Sequence, residues 1–296
     1  MKRFIACLTA LITLLCLPAF AEPETEPTSV PSDYPYTVRV PIPDDEKTYT
    51  VPEVTFDGYL IPEEIRNMID VGLQEYYFED WNELPISNRY TYDYWGKKKK
   101  QNGWCTCFVY YCMKRGVVPL YTNTKQVPEG EDIFGFIGLR IRNISPLYKK
   151  VGRQSTVPYP GYLVVYSSLK VQKNVHIGII TDVTLLEDGT TYEIKTVEGN
   201  VSNRVKQYRY LYNNADKTDN MFRMEGYEDR EGDFQYELHN NRWYVETFLQ
   251  TWTPGAIEAK EALEAATDAP SAEPTAAETA VTETPAPEAD LTQDAE

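Results

Sequence analysis

Residues 176–200 read HIGIITDVTLLEDGTTYEIKTVEGN, and the fold class turns on this stretch. His176 to Val183 and Thr191 to Val197 are two runs rich in β-branched and aromatic residues, the composition of buried strands. Asp188-Gly189 lies between them, and glycine takes the positive φ of a tight turn without steric cost, so the stretch predicts an antiparallel hairpin. Upstream, Tyr162 to Tyr166 predicts another strand. Downstream, residues 204 to 212 and 242 to 249 predict two more.

Ahead of these strands the apolar period changes to that of a helix. Ile65, Met68, Ile69, Gly72 and Leu73 recur at helical spacing after Pro62. A second helix is predicted from Asn102, read as the N-cap, to Gly116, with Cys105, Phe108, Val109, Cys112 and Met113 on its inward face. Cys107 falls off that face. Helices first and an antiparallel meander afterwards predict an α+β domain over residues 60–252, long enough for one sizeable core.

The flanks differ in composition. Residues 1–21 have a basic start, an apolar run from Phe4 to Phe20 and small residues at Ala19 and Ala21, which predicts a cleaved secretory signal peptide rather than a membrane span. Residues 22–59 begin as a Pro/Glu/Ser/Thr leader, and Tyr36 to Val40 alternates as a short strand would. Residues 253–296 form an acidic, Ala/Glu/Thr/Pro-rich tail, helical in its first part from Pro254 to Thr267. From Pro254 onward eleven carboxylates face one lysine, so that segment carries −10 of the formal −16. Such acidity excludes nucleic acid as a partner, and the short basic run Lys97 to Lys100 reads as a solvated loop.

Cleavage after Ala21 leaves Cys105, Cys107 and Cys112, an odd number packed into eight positions and not a spaced disulfide framework. Their C-x-C-x4-C spacing on one helix does not converge three sulfurs on a metal, so no metal is expected. Cys105 falls in the first turn of its helix, where free N–H groups and the helix dipole favour a thiolate. A thiolate needs a proton acceptor, and the chain offers only His176 and His239. His239 sits in a charged stretch and reads as a surface residue. The hairpin brings Glu198 and Asn200 near the level of His176, so either one is placed to fix the imidazole's tautomer. Taken alone, Cys105 reads as a small core residue and Glu198 as an exposed strand-end carboxylate.

Trp104-Cys105-Thr106-Cys107-Phe108-Val109 resembles the signature around the nucleophile of CHAP domains, the cysteine- and histidine-dependent amidohydrolases and peptidases. Arg89-Tyr90 through Trp95-Gly96, Pro160-Gly161, His176-Ile177-Gly178-Ile179-Ile180, Glu198-Gly199-Asn200 and Asn203-Arg204-Val205 are similar to further parts of that family, over about residues 85–210. The resemblance implies a papain-like fold, Cys105 as nucleophile, His176 as general base, Glu198 as its orienting group, Asn200 as a further polar member and Trp104 at the substrate. It implies an exported cysteine hydrolase that cuts amide bonds of peptidoglycan at the bacterial cell wall, as an amidase or endopeptidase, without a cofactor. A catalytically silent wall-binding or scaffolding module is the alternative, and a cysteine protease or transglutaminase-like enzyme on proteins is a third reading. Two departures stand out: Tyr162 follows Pro160-Gly161 where the family has aspartate, and residues 126–153 read as an insertion able to cover the cleft.

Overall fold

The structure, a computed structural model, describes residues 35–36, 42–78, 83–168, 172–213, 227–228, 234–235 and 243–268. The predicted signal peptide, the Thr37–Val40 part of the leader strand, His239 and the tail after Asp268 lie outside the described residues. Within them the chain is mixed helix and sheet, with five α-helices and a six-stranded antiparallel sheet. The helices are α1 (Glu63–Phe78), α2 (Arg89–Trp95), α3 (Cys105–Arg115), α4 (Ile141–Lys150) and α5 (Ala256–Asp268). The strands of the main sheet are β1 (Gln154–Ser155), β2 (Leu163–Ser168), β3 (Gln172–Leu185), β4 (Thr191–Val201), β5 (Arg204–Asn213) and β6 (Trp243–Leu249).

Strands β2 to β5 form the expected meander, and β6 returns beside β2 with β1 at its outer edge, giving the order β1-β6-β2-β3-β4-β5. The β3–β4 turn is built as its sequence suggests. Gly189 has a φ of 67°, and Asp188 Oδ1 accepts the N–H groups of Thr190 and Thr191. The sheet curls, as right-handed strand twist requires. Tyr212 of β5 meets Phe248 of β6 edge-on at 5.0 Å, and its hydroxyl donates to the Thr156 carbonyl, so strands from opposite ends of the sheet come together.

Helix α1 forms where the apolar spacing places it and buries Ile65, Met68, Ile69, Gly72 and Leu73. Helix α3 starts later than expected: Trp104, not Asn102, is its N-cap, and Cys105 is its first residue. Cys107 is also fully buried, so the apolar face is wider than periodicity alone suggested. Two helices escaped the sequence reading. At only seven residues α2 is too short to show a period, but Asn88 and Thr91 form a reciprocal capping box ahead of it. Helix α4 lies inside the segment read as an insertion and buries Ile141, Ile144 and Tyr148.

Both α1 and α3 pack on the sheet. A Cβ on Gly199 would sit 2.4 Å from Phe108 Cβ, so the missing side chain is what lets α3 approach β4 so closely. Residues 42–60 lie against α1, where Tyr49 stacks on Tyr77 at 4.9 Å and donates to Asp70 at 2.7 Å. The start of the acidic tail is α5, whose Glu258 accepts the Leu60 N–H at 2.6 Å. Among the described residues no helix is long and apolar enough to cross a membrane.

Candidate active site

Helix α3 and strand β3 each deliver one reactive side chain. Gly199, under Phe108, is two residues from the end of β4, so the preceding turn of α3 stands at the strand end where His176 also lies. There the Cys105 thiol stands close enough to the His176 ring to raise its pKa. On the other side of the ring, His176 Nε2 lies 2.8 Å from Glu198 Oε2. With Nε2 taken, Nδ1 is the nitrogen left for the sulfur. No protein-family model, no curated protein and no solved structure matches the chain. The chemistry therefore rests on the geometry.

Glu198 is fully buried, and its charge is answered on every side. Oε1 accepts hydroxyl hydrogen bonds from Tyr166 at 2.8 Å, Thr196 at 2.7 Å and Tyr210 at 2.5 Å, while Oε2 faces the imidazole. A buried carboxylate without such donors would shed its charge by binding a proton. Burial does push the Glu198 pKa up, but the imidazole and the hydroxyls of Tyr210 and Thr196 outweigh it and hold the group below its ordinary value. The same balance runs in reverse at His176. Burial lowers its pKa, while the contacts with Cys105 and Glu198 raise it further, to about 10. Tyr166 stacks on the imidazole at 5.8 Å and fixes its plane.

Gly178 makes the Glu198–His176 contact possible. It precedes Ile179, the register partner of Val197, and a Cβ there would lie 2.7 Å from Glu198 Cγ. The carboxylate crosses the space a side chain would have filled.

The two orienting candidates thus separate. Glu198 holds the imidazole; it is not an exposed strand-end carboxylate. Asn200 has a φ of 66° at the register shift between Gly199 and Val201, a left-handed position that asparagine tolerates, so its evident role is to shape the strand end. Trp104 is a correction. Expected at the substrate, it is fully buried and stacks on Tyr90 at 5.3 Å, so it anchors the start of α3 in the core. Tyr162, which follows Pro160-Gly161, is also buried and packs near Trp252 and Tyr159. What the sequence did not reveal is the hydroxyl cage: Tyr166, Thr196 and Tyr210 lie far apart along the chain, and only their strand register joins them.

The segment 126–153 borders the site. Thr106, next to Cys105, donates to the Leu139 carbonyl at 2.9 Å just ahead of α4. Cys105 is 7 % exposed and His176 3 %, so the opening is narrow.

Two expectations follow directly. All three thiols are free, but Cys107 and Cys112 are fully enclosed, and burial pushes Cys107 up to about 12 and Cys112 well above the ordinary thiol value. Iodoacetamide should therefore label Cys105 alone of these three in the native protein and all three in guanidinium, read by peptide mass spectrometry. Comparable native labelling of Cys107 would contradict this packing. The second concerns pH. Because the folded His176 pKa lies above the unfolded value near 6.5, its stabilisation is whole below pH 6.5 and is lost as pH rises toward about 10. Stability in urea should fall between pH 7 and 9, by at most about 1.4 kcal/mol per unit, and His176→Gln should flatten that slope. Glu198 acts at the other end: its contribution is whole above its ordinary value and lost as pH falls through the lowered one.

Proposed function

We propose that this chain is a cysteine amide hydrolase with a papain-like CHAP fold, exported to the bacterial cell wall, with peptidoglycan as its substrate. One observation carries the reading: a cysteine at the first residue of a helix lies beside a buried imidazole, near enough to raise its pKa, and that ring's Nε2 is fixed by a caged carboxylate. That is the nucleophile–base–orienter arrangement of acyl-transfer enzymes. The choice of peptidoglycan and of an exported location rests on the resemblance around Cys105, His176 and Glu198 and on the apolar N-terminus.

Each residue then has one task. His176, its pKa raised to about 10, already holds the proton released by Cys105 when the sulfur attacks the amide carbonyl. Backbone N–H groups of the first turn, which precede the first helical bond from Phe108 N to the Trp104 carbonyl, are free to bind the oxyanion. The imidazolium, stabilised by Glu198, gives its proton to the departing amine and leaves a thioester. Water, deprotonated by the same nitrogen, then hydrolyses the thioester and restores the thiol.

The narrow opening favours a second reading, a silent wall-binding module whose cleft is kept shut by the segment around Leu139. Purified peptidoglycan separates the two. The hydrolase releases fragments whose new termini, read by mass spectrometry, identify the scissile amide; a silent module pulls down with the wall and releases nothing.

A further inference from the structure

A cavity lies on the other side of the sheet from the Glu198 carboxylate. Side chains alternate along β4, so Lys195 and Val197 point away from Thr196 and Glu198. Val197 faces α1, since a Cβ on Gly72 would meet it at 2.8 Å, and Gln207 is its register partner on β5. Between this face, α1 and residues 48–56 is a cavity of ≈ 510 Å³, lined by Phe56, Leu73, Tyr77, Asp182, Lys195 and Gln207 among others. Its volume is that of a small-ligand site.

Gln207 is 7 % exposed, and among the described residues its Nε2 has no hydrogen-bond partner. A buried amide donor left unpaired carries a desolvation cost, and native proteins keep few of them. Gln207 lines the cavity, so a turn of its amide would present Nε2 to an acceptor brought by a ligand. Lys195 Nζ and Asp182 Oδ2 add an ion pair at 3.2 Å, both side chains partly exposed. The rings of Phe56 and Tyr77 and the Leu73 side chain supply apolar walls.

We propose that this cavity binds a short peptide with free termini. Its carboxylate meets Lys195, its ammonium group meets Asp182, a backbone carbonyl accepts from Gln207 Nε2, and small aliphatic side chains lie against the apolar wall. The cavity is separate from the Cys105–His176 pair, and peptide binding there does not depend on hydrolysis.

The test uses Cys105→Ala protein labelled with nitrogen-15, so that no turnover interferes. Trialanine should shift the Gln207 side-chain amide resonance saturably. The trialanine carboxamide, which lacks the carboxylate, should bind about tenfold more weakly, the loss of one charge-assisted hydrogen bond. Gln207→Leu should fold with an unchanged or higher melting temperature, because it removes an unpaired polar atom, and should lose the binding. The proposal is overturned if the Gln207 resonance stays still at high peptide concentration, if the two peptides bind alike, or if Gln207→Leu binds as well as its parent. A shift produced by N-acetylglucosamine and not by trialanine would also overturn it, in favour of a sugar site.

Discussion

Cys105→Ser is expected to leave a folded protein whose release of fragments from purified peptidoglycan falls by about 10⁴-fold or more. The substitution changes one atom at a site 7 % exposed, so the melting temperature should stay within a few degrees. A hydroxyl beside an imidazole tuned to a thiol is a far weaker nucleophile, and catalytic groups that act as a unit are lost together. His176→Ala should lose as much activity and also some stability, because it leaves the Glu198 carboxylate buried without its imidazole partner. Digestion of the wall at parental rate by Cys105→Ser would remove the cysteine mechanism altogether.

Glu198 should show the other large effect, and two substitutions divide it into stability and catalysis. Glu198→Ala empties a fully buried site and strands three hydroxyls and an imidazole, so a loss of about 3–5 kcal/mol is expected in urea unfolding. Glu198→Gln keeps the shape. The hydroxyls of Tyr166, Thr196 and Tyr210 donate to one side of the group and will hold the amide oxygen there, turning the NH₂ toward His176 Nε2. A neutral ring that accepts at Nε2 carries its proton on Nδ1, facing the sulfur, and cannot take the thiol proton. Activity should therefore fall by about 10³- to 10⁴-fold with a much smaller loss of stability. Gly178→Ala should resemble Glu198→Ala in milder form, since its methyl group would push on Glu198 Cγ. If Glu198→Gln kept parental turnover, the tautomer argument would be wrong.

Much of this site was legible along the chain, and the reasons are local. The helix around Cys105 and the strand around His176 each declare themselves through composition and period, because each buries one continuous apolar face. The Asp188-Gly189 turn fixes which strand follows. What periodicity misses are elements too short to repeat, such as α2, and elements such as α4 that lie in a stretch read as an insertion. Trp104 was misassigned because an aromatic beside a nucleophile reads equally as a substrate wall or as a core anchor. Only its stacking on Tyr90 separates the two.

The amino-acid sequence by itself determined the α+β class and the order of α1, α3 and the strands β2 to β6, since these depend on local spacing, and it put Cys105 and His176 forward as a pair through a shortage of alternatives. The tertiary structure alone decided between Glu198 and Asn200, assembled the three-hydroxyl cage and showed Gly178 to be the space the carboxylate crosses. A side chain's partners across a sheet are set by strand register and curl. A one-residue slip would turn every one of those groups to the opposite face.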